Sequence, residues 1–188
     1  MKNIIQSIQQ VASLPLIEEQ LLLAAMERVE VSKNTVVISA DQVEKYIYFI
    51  EKGIARAYCH TEKGQQTIWF GEEGTIMVSF MSSFKNTPGY EYIEMLEDSV
   101  LYRISNTSLN AIYANNILLA NWGRKFAEQE LLHTEERFIG YLFKTATERY
   151  EELLQRHPSL IKRVQLGYIA SYLGITQVSL SRIRAGIR

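Results

Sequence analysis

Cysteine, histidine and proline are all scarce in this chain of 188 residues. The single cysteine, Cys59, leaves no internal disulfide and no four-cysteine iron–sulfur cluster, and it fits a reducing cytoplasm. The three histidines, His60, His133 and His157, have no metal-ligand spacing. No apolar run approaches the roughly 20 residues of a membrane helix, and the N-terminus lacks the order of a signal peptide. These absences predict a cytoplasmic protein with no membrane partner, no metal and no resident cofactor. Proline occurs only at Pro15, Pro88 and Pro158, so long stretches are free to stay helical.

One further absence is local. Residues 161–188 contain Lys162, Arg163, Arg182, Arg184 and Arg188 but no aspartate or glutamate. That segment carries +5 in a chain whose net charge is −1, leaving −6 for the 160 residues before it. Such asymmetry marks either a polyanion-binding module joined to something else or a solvated basic tail.

What is present falls into three regions. Residues 1–26 read as helical, with "IEEQLLLAAM" entered at Pro15 and acidic in its first turn. From Arg28 to Ile104 come short runs rich in β-branched and aromatic residues, "NTVVIS", "KYIYFIEKG", "IARAYCH", "QQTIWFGEEG" and "SVLYRIS". Lys33-Asn34, Gly53, Lys63-Gly64 and Glu73-Gly74 punctuate them. This spacing predicts an antiparallel sandwich or barrel of the jelly-roll kind, with "HTEKGQQ" as a hairpin loop.

After Ser105 the chain turns helical. "NTSLNAIY" predicts a short helix, and Asn115–Lys144 a rod of about 45 Å. Leu118, Leu119, Trp122, Phe126, Leu131, Leu132, Phe138, Ile139, Leu142 and Phe143 recur along it at three- and four-residue steps. They cover more than one seam. The second apolar face packs either on a twin helix from a second copy or within the same subunit. The first alternative makes Leu118, Leu119, Trp122, Phe126, Gln129 and Leu132 a dimer interface. "TATE" at Thr145–Glu148 has the form of a capping box and predicts a fresh helix start, with a hinge at Phe143–Thr145.

The last segment has helix-turn-helix rhythm. Leu166, Ile169, Ala170 and Leu173 share one side of a helix. Gly174 suits a left-handed C-terminal position, and Thr176 a following N-cap. The second helix, 176–187, anchors through Val178 or Leu180 and Ile183. Its polar complement is Gln177, Ser179, Ser181, Arg182 and Arg184. At about 18 Å it is long enough to lie in a major groove about 12 Å wide. Arginine pairs with guanine O6 and N7, glutamine with adenine N6 and N7, and serine hydroxyls hold phosphates. The predicted DNA contacts are Thr176, Gln177, Ser179, Ser181, Arg182, Arg184 and Arg188.

"YIASYLGIT", followed by "LSRIR", and the phrase "YIYFIEKGIARAYCHTEKGQQTIWF" resemble the Crp/Fnr family of bacterial transcription regulators, in particular its short Bacteroidetes-type members. The resemblance runs over nearly the whole chain and implies an α+β architecture. Residues 1–114 would be a cyclic-nucleotide-binding-like β-roll sensor with N-terminal helices, 115–144 a long dimerisation helix, and 145–188 an all-α helix-turn-helix domain. It also implies a cytoplasmic, non-enzymatic homodimer on palindromic double-stranded DNA, with RNA polymerase as a further partner. Gln177, Ser179 and Arg182 match positions that touch bases; Thr176 and Ser181 match positions that face the DNA backbone.

The chain departs from the family pattern in places. Val78-Ser79 stands where cyclic-nucleotide binders have Gly-Glu, and Gly89-Tyr90 where they have Arg-Ser or Arg-Thr. Without those charge-assisted contacts, cyclic AMP and cyclic GMP are not expected to bind. Trp69, Val78, Ser79, Phe80, Gly89 and Tyr90 mark the candidate site for an unknown effector, although the aromatic residues here serve equally as barrel core. Six residues follow Arg182, too few for a wing hairpin. Gln177-Val178 replaces Pro-Glu, and valine cannot accept a hydrogen bond from cytosine. Two alternatives remain: a signalling scaffold that has lost DNA binding, and a cupin-type enzyme, for which only His60 lies in the β region.

Overall fold

The computed structural model describes residues 1–62 and 64–187. Helices α1 (Lys2–Val11) and α2 (Leu16–Ala24) precede strands β1 (Glu27–Val31), β2 (Val36–Ile38), β3 (Tyr46–Lys52), β4 (Ala55–Thr61), β5 (Gly64–Gly71) and β6 (Ile76–Met77). Then come α3 (Phe80–Lys85), β7 (Tyr92–Met95) and β8 (Ser99–Ser105). The chain closes with α4 (Asn106–Asn115), α5 (Ile117–Phe143), α6 (Ala146–Arg156), α7 (Leu160–Arg163), α8 (Leu166–Tyr172) and α9 (Gln177–Gly186). The strands form two four-stranded sheets, ordered β1-β8-β3-β6 and β2-β7-β4-β5. This is the antiparallel roll expected from the turn spacing.

The chain divides into two compact units. Met1–Ala57 and Phe70–Glu130 make up the first; Tyr58–Trp69 and the residues from Leu131 onward make up the second. The division falls inside α5, ahead of the helix break at Thr145.

In the first unit, α1 lays Ile4 and Ile8 against Phe49, Ile76 and Ile104 of the roll. Leu119, Trp122 and Phe126 of α5 belong to that same core, at 0%, 2% and 9% exposure. The Trp122 indole N–H donates to the Ile8 carbonyl at 2.8 Å, and Gln129 Nε2 donates to the Val11 carbonyl at 3.2 Å. Of the six residues expected at a dimer interface, Leu119, Trp122 and Phe126 are buried in the chain's own core and Gln129 is bonded to α1, leaving Leu118 and Leu132 exposed. Helix α5 also starts at Ile117, not at Asn115. Asn116 is extended, and its side-chain oxygen accepts from the Leu118 and Leu119 amides, a local N-cap.

Across the second sheet, Arg56 of β4 is 1% exposed, and its guanidinium donates to Glu94 of β7 at 2.7 Å. A fully buried arginine is tolerated only with such a partner, since an isolated charge in apolar surroundings is strongly unfavourable.

The second unit follows its local signals closely. Thr145 and Glu148 form the complete reciprocal capping box that starts α6. Leu173 ends α8, and Gly174 takes φ +70°, a left-handed conformation in which a side chain would be strained. A Cβ there would also come within 3.0 Å of the Tyr141 hydroxyl. Thr176 caps α9 by accepting from the Ser179 amide at 3.1 Å.

Candidate functional site

Helix α9 is anchored by one fully buried residue, Leu180, at 0% exposure. Of the alternatives Val178 and Leu180, Leu180 is thus the anchor and Val178 is 62% exposed, while Ile183 is half-buried. At 100° per residue, Val178 and Arg182 lie about 160° from Leu180 on opposite sides, so they adjoin on the outward face. Gln177, Ser181 and Arg182 are exposed, whereas Ser179 and Arg184 are half-buried. Two serines are partly engaged: Ser181 Oγ donates to the Gln177 carbonyl at 3.0 Å, and Ser179 Oγ lies 3.0 Å from Thr176 Oγ1. Arg188 lies outside the described residues. The outward face therefore offers a donor fork at Arg182, an amide at Gln177 and the first N–H groups of a capped helix.

Arg149, which no local sequence motif marks, fixes where that helix pair sits in the second unit. Its guanidinium donates to the Lys144 carbonyl at 2.5 Å and the Leu173 carbonyl at 2.8 Å, and it lies 5.0 Å from the centre of the Tyr141 ring. The ends of α5 and α8 are thereby tied to α6. A second tie comes from the β4–β5 hairpin. Ser171 Oγ of α8 accepts from the Thr67 amide at 2.8 Å and donates to the Gln65 carbonyl at 3.1 Å, while Gln66 Nε2 donates to the Ser171 carbonyl. One small hydroxyl completes a backbone ladder between hairpin and helix.

In the first unit the structure brings together Ser79 and Gly89. A Cβ placed on Gly89 would lie 2.6 Å from Ser79 Oγ and 3.0 Å from both carboxylate oxygens of Glu91. Ser79 is 1% exposed, and its hydroxyl has no hydrogen-bond partner among the described residues. Glu91, missed in the sequence, is also buried, and one carboxylate oxygen accepts from the Tyr90 amide at 3.1 Å. A cyclic phosphate brought here would meet a buried carboxylate where it needs a cation, so these residues do not fit a cyclic nucleotide.

The other candidate ligand residues scatter. Tyr90 is 67% exposed, and Val78 packs on the hydrophobic core. Phe80 joins an offset aromatic ladder, stacked between Phe84 and Phe126, with Trp122 next along. Trp69 is half-buried in β5 and belongs to the second unit. Among the described residues there is no group of three His, Cys, Asp or Glu side chains placed to hold a metal. No helix among them is long and apolar enough to cross a membrane.

Residues 28–116 match the family model described as the cyclic nucleotide-binding domain. No curated protein matches the sequence. Among solved structures, the chain resembles FixK2 from Bradyrhizobium japonicum (TM-score 0.72, 19% identity, 86% of this chain and 84% of that one). It also resembles a protein from Eubacterium rectale assigned to the Crp/Fnr family of transcriptional regulators (TM-score 0.70, 16% identity, 90% and 82%). A third likeness is CLP, a c-di-GMP-responsive global regulator from Xanthomonas campestris (TM-score 0.70, 15% identity, 92% and 91%). The chain thus has the fold of Crp/Fnr-like structures, and the stretch that resembles the cyclic nucleotide-binding domain, residues 28–116, includes the buried Ser79, Gly89 and Glu91 cluster.

Proposed function

We propose that the protein is a non-enzymatic, cytoplasmic transcription regulator of the Crp/Fnr type, a homodimer that reads palindromic double-stranded DNA with α9. The observation that carries this reading is the outward presentation of Arg182 and Gln177 on a capped helix, in a segment that holds no acidic residue. Arg182 pairs with a guanine, Gln177 with an adenine, and Thr176, Ser179, Ser181, Arg184 and Arg188 contact or neutralise phosphates.

Two copies associate along α5 through Leu118, Leu131, Leu132, Phe138, Ile139 and Leu142, all exposed in the single chain. Leu131 and Phe138, like Leu132 and Ile139, are seven residues apart, as a helix-pairing seam requires. The paired α9 helices then enter successive major grooves about 34 Å apart. An effector at the β-roll, other than cyclic AMP or cyclic GMP, shifts the population of DNA-competent dimers through the hinge at Phe143–Thr145. RNA polymerase is the partner downstream.

Selection of the full chain against a random DNA pool tests this. An enriched palindrome, an affinity that falls steeply with salt, and loss of sequence preference in a still-dimeric Arg182→Ala variant are expected. Specific binding that survives Arg182→Ala means the reading helix is misassigned. Absence of any enriched sequence favours a scaffold without DNA binding. Micromolar binding of cyclic AMP by calorimetry would overturn the reading of the acidic cluster.

A further inference from the structure

We propose that Val178 reads the methyl group of a thymine, one or two base pairs from the guanine paired with Arg182. This inference rests on the DNA-binding reading of α9 and names a specificity element within it. Val178 is 62% exposed, although it is the only large apolar residue on the outward face; Leu180 alone supplies the deep anchor on the other side. An exposed valine gives a helix nothing locally. It is β-branched, it loses side-chain freedom against the preceding turn, and it adds no cap. Its position explains it better. It follows Gln177 in the first turn, and N-terminal residues of a reading helix are the ones that reach base edges.

The chemistry then leaves little choice. In the major groove, three of the four bases offer only donors and acceptors at the positions read, while thymine adds a C5 methyl. Valine has no hydrogen-bonding group, so it cannot satisfy the amino group of cytosine or adenine and would leave it without water. Against thymine the two apolar surfaces cover one another. Val178 and Arg182 are four residues apart on one face, about 6 Å along the helix axis. Base pairs rise about 3.4 Å each, which places the two contacts one or two steps apart.

The test uses the full-length protein on the site enriched from random DNA. Thymine at the assigned position is replaced by uracil, which removes only the methyl group. Wild-type protein is expected to bind the uracil site about fourfold more weakly, the worth of one methyl group removed from water. Val178→Ala is expected to bind the two sites equally, and Val178→Glu to favour cytosine there. Because Val178 is exposed, both variants keep the fold, which circular dichroism checks. Equal binding of thymine and uracil sites by the wild type, or an enriched site without thymine at that distance, overturns the inference and leaves the DNA-binding reading intact. Failure to enrich any sequence overturns both.

Discussion

The Arg149 guanidinium donates to the Leu173 carbonyl at 2.8 Å, joining α6 to the last residue before the turn of the helix pair. Its other nitrogen holds the Lys144 carbonyl at the end of α5, while Nε is buried without a partner among the described residues. Two helix ends whose carbonyls lack intrahelical donors are thus closed by one planar fork.

Arg149→Lys is therefore expected to destabilise the protein despite keeping the charge. An ammonium cannot span both carbonyls or lie on the Tyr141 ring as a guanidinium does. The loss should be about 1–3 kcal/mol, measured by urea denaturation. DNA affinity should fall with it, while the preferred sequence stays the same.

Ser171→Ala removes the hydroxyl that serves the Thr67 amide and the Gln65 carbonyl together. Hydrogen exchange at the Thr67 amide is expected to accelerate roughly tenfold, corresponding to about 1.4 kcal/mol of lost protection. Unchanged exchange there would mean that the hairpin is held by its strand pairing alone.

The capping box of α6 predicts an acid-sensitive step. The Thr145 backbone N–H, at 2.7 Å, and then its hydroxyl, at 2.8 Å, hold the Glu148 carboxyl below its ordinary value of 4.5. A carboxylate whose pKa is lowered by folding adds stability that is complete above that ordinary value and disappears as pH falls through the folded one. Wild type should thus exceed Glu148→Gln in urea resistance at neutral pH. The gap should narrow below about pH 4.5.

Several features were legible because they are short-range. Thr145 with Glu148, and Gly174 with Thr176, are spelled out within four residues, and backbone geometry turns each pair directly into a cap or a turn. The β-roll was legible from short β-branched and aromatic runs and the turn spacing between them. Helix α5 was only half legible. A three- and four-residue rhythm says that Leu119, Trp122 and Phe126 face something apolar, yet it reads the same whether the cover is a second copy or α1 of the same chain. The choice was made by Ile8 and Val11, more than a hundred residues away. Glu91 escaped notice for a related reason: nothing near it in sequence signals that its carboxylate turns inward beside Ser79. Val178 and Leu180 stayed alternatives because a valine two residues before a leucine looks apolar in any register, and only the crossing geometry decides that Leu180 is the buried one.

The Arg56–Glu94 pair bears on how such a chain drifts over generations. Losing either member alone strands the other charge in the sheet interior, at a cost of about 3–5 kcal/mol, a large fraction of what keeps a domain folded. Sister sequences should accordingly keep both residues or exchange both for a neutral couple, and intermediates carrying one of the two should be rare.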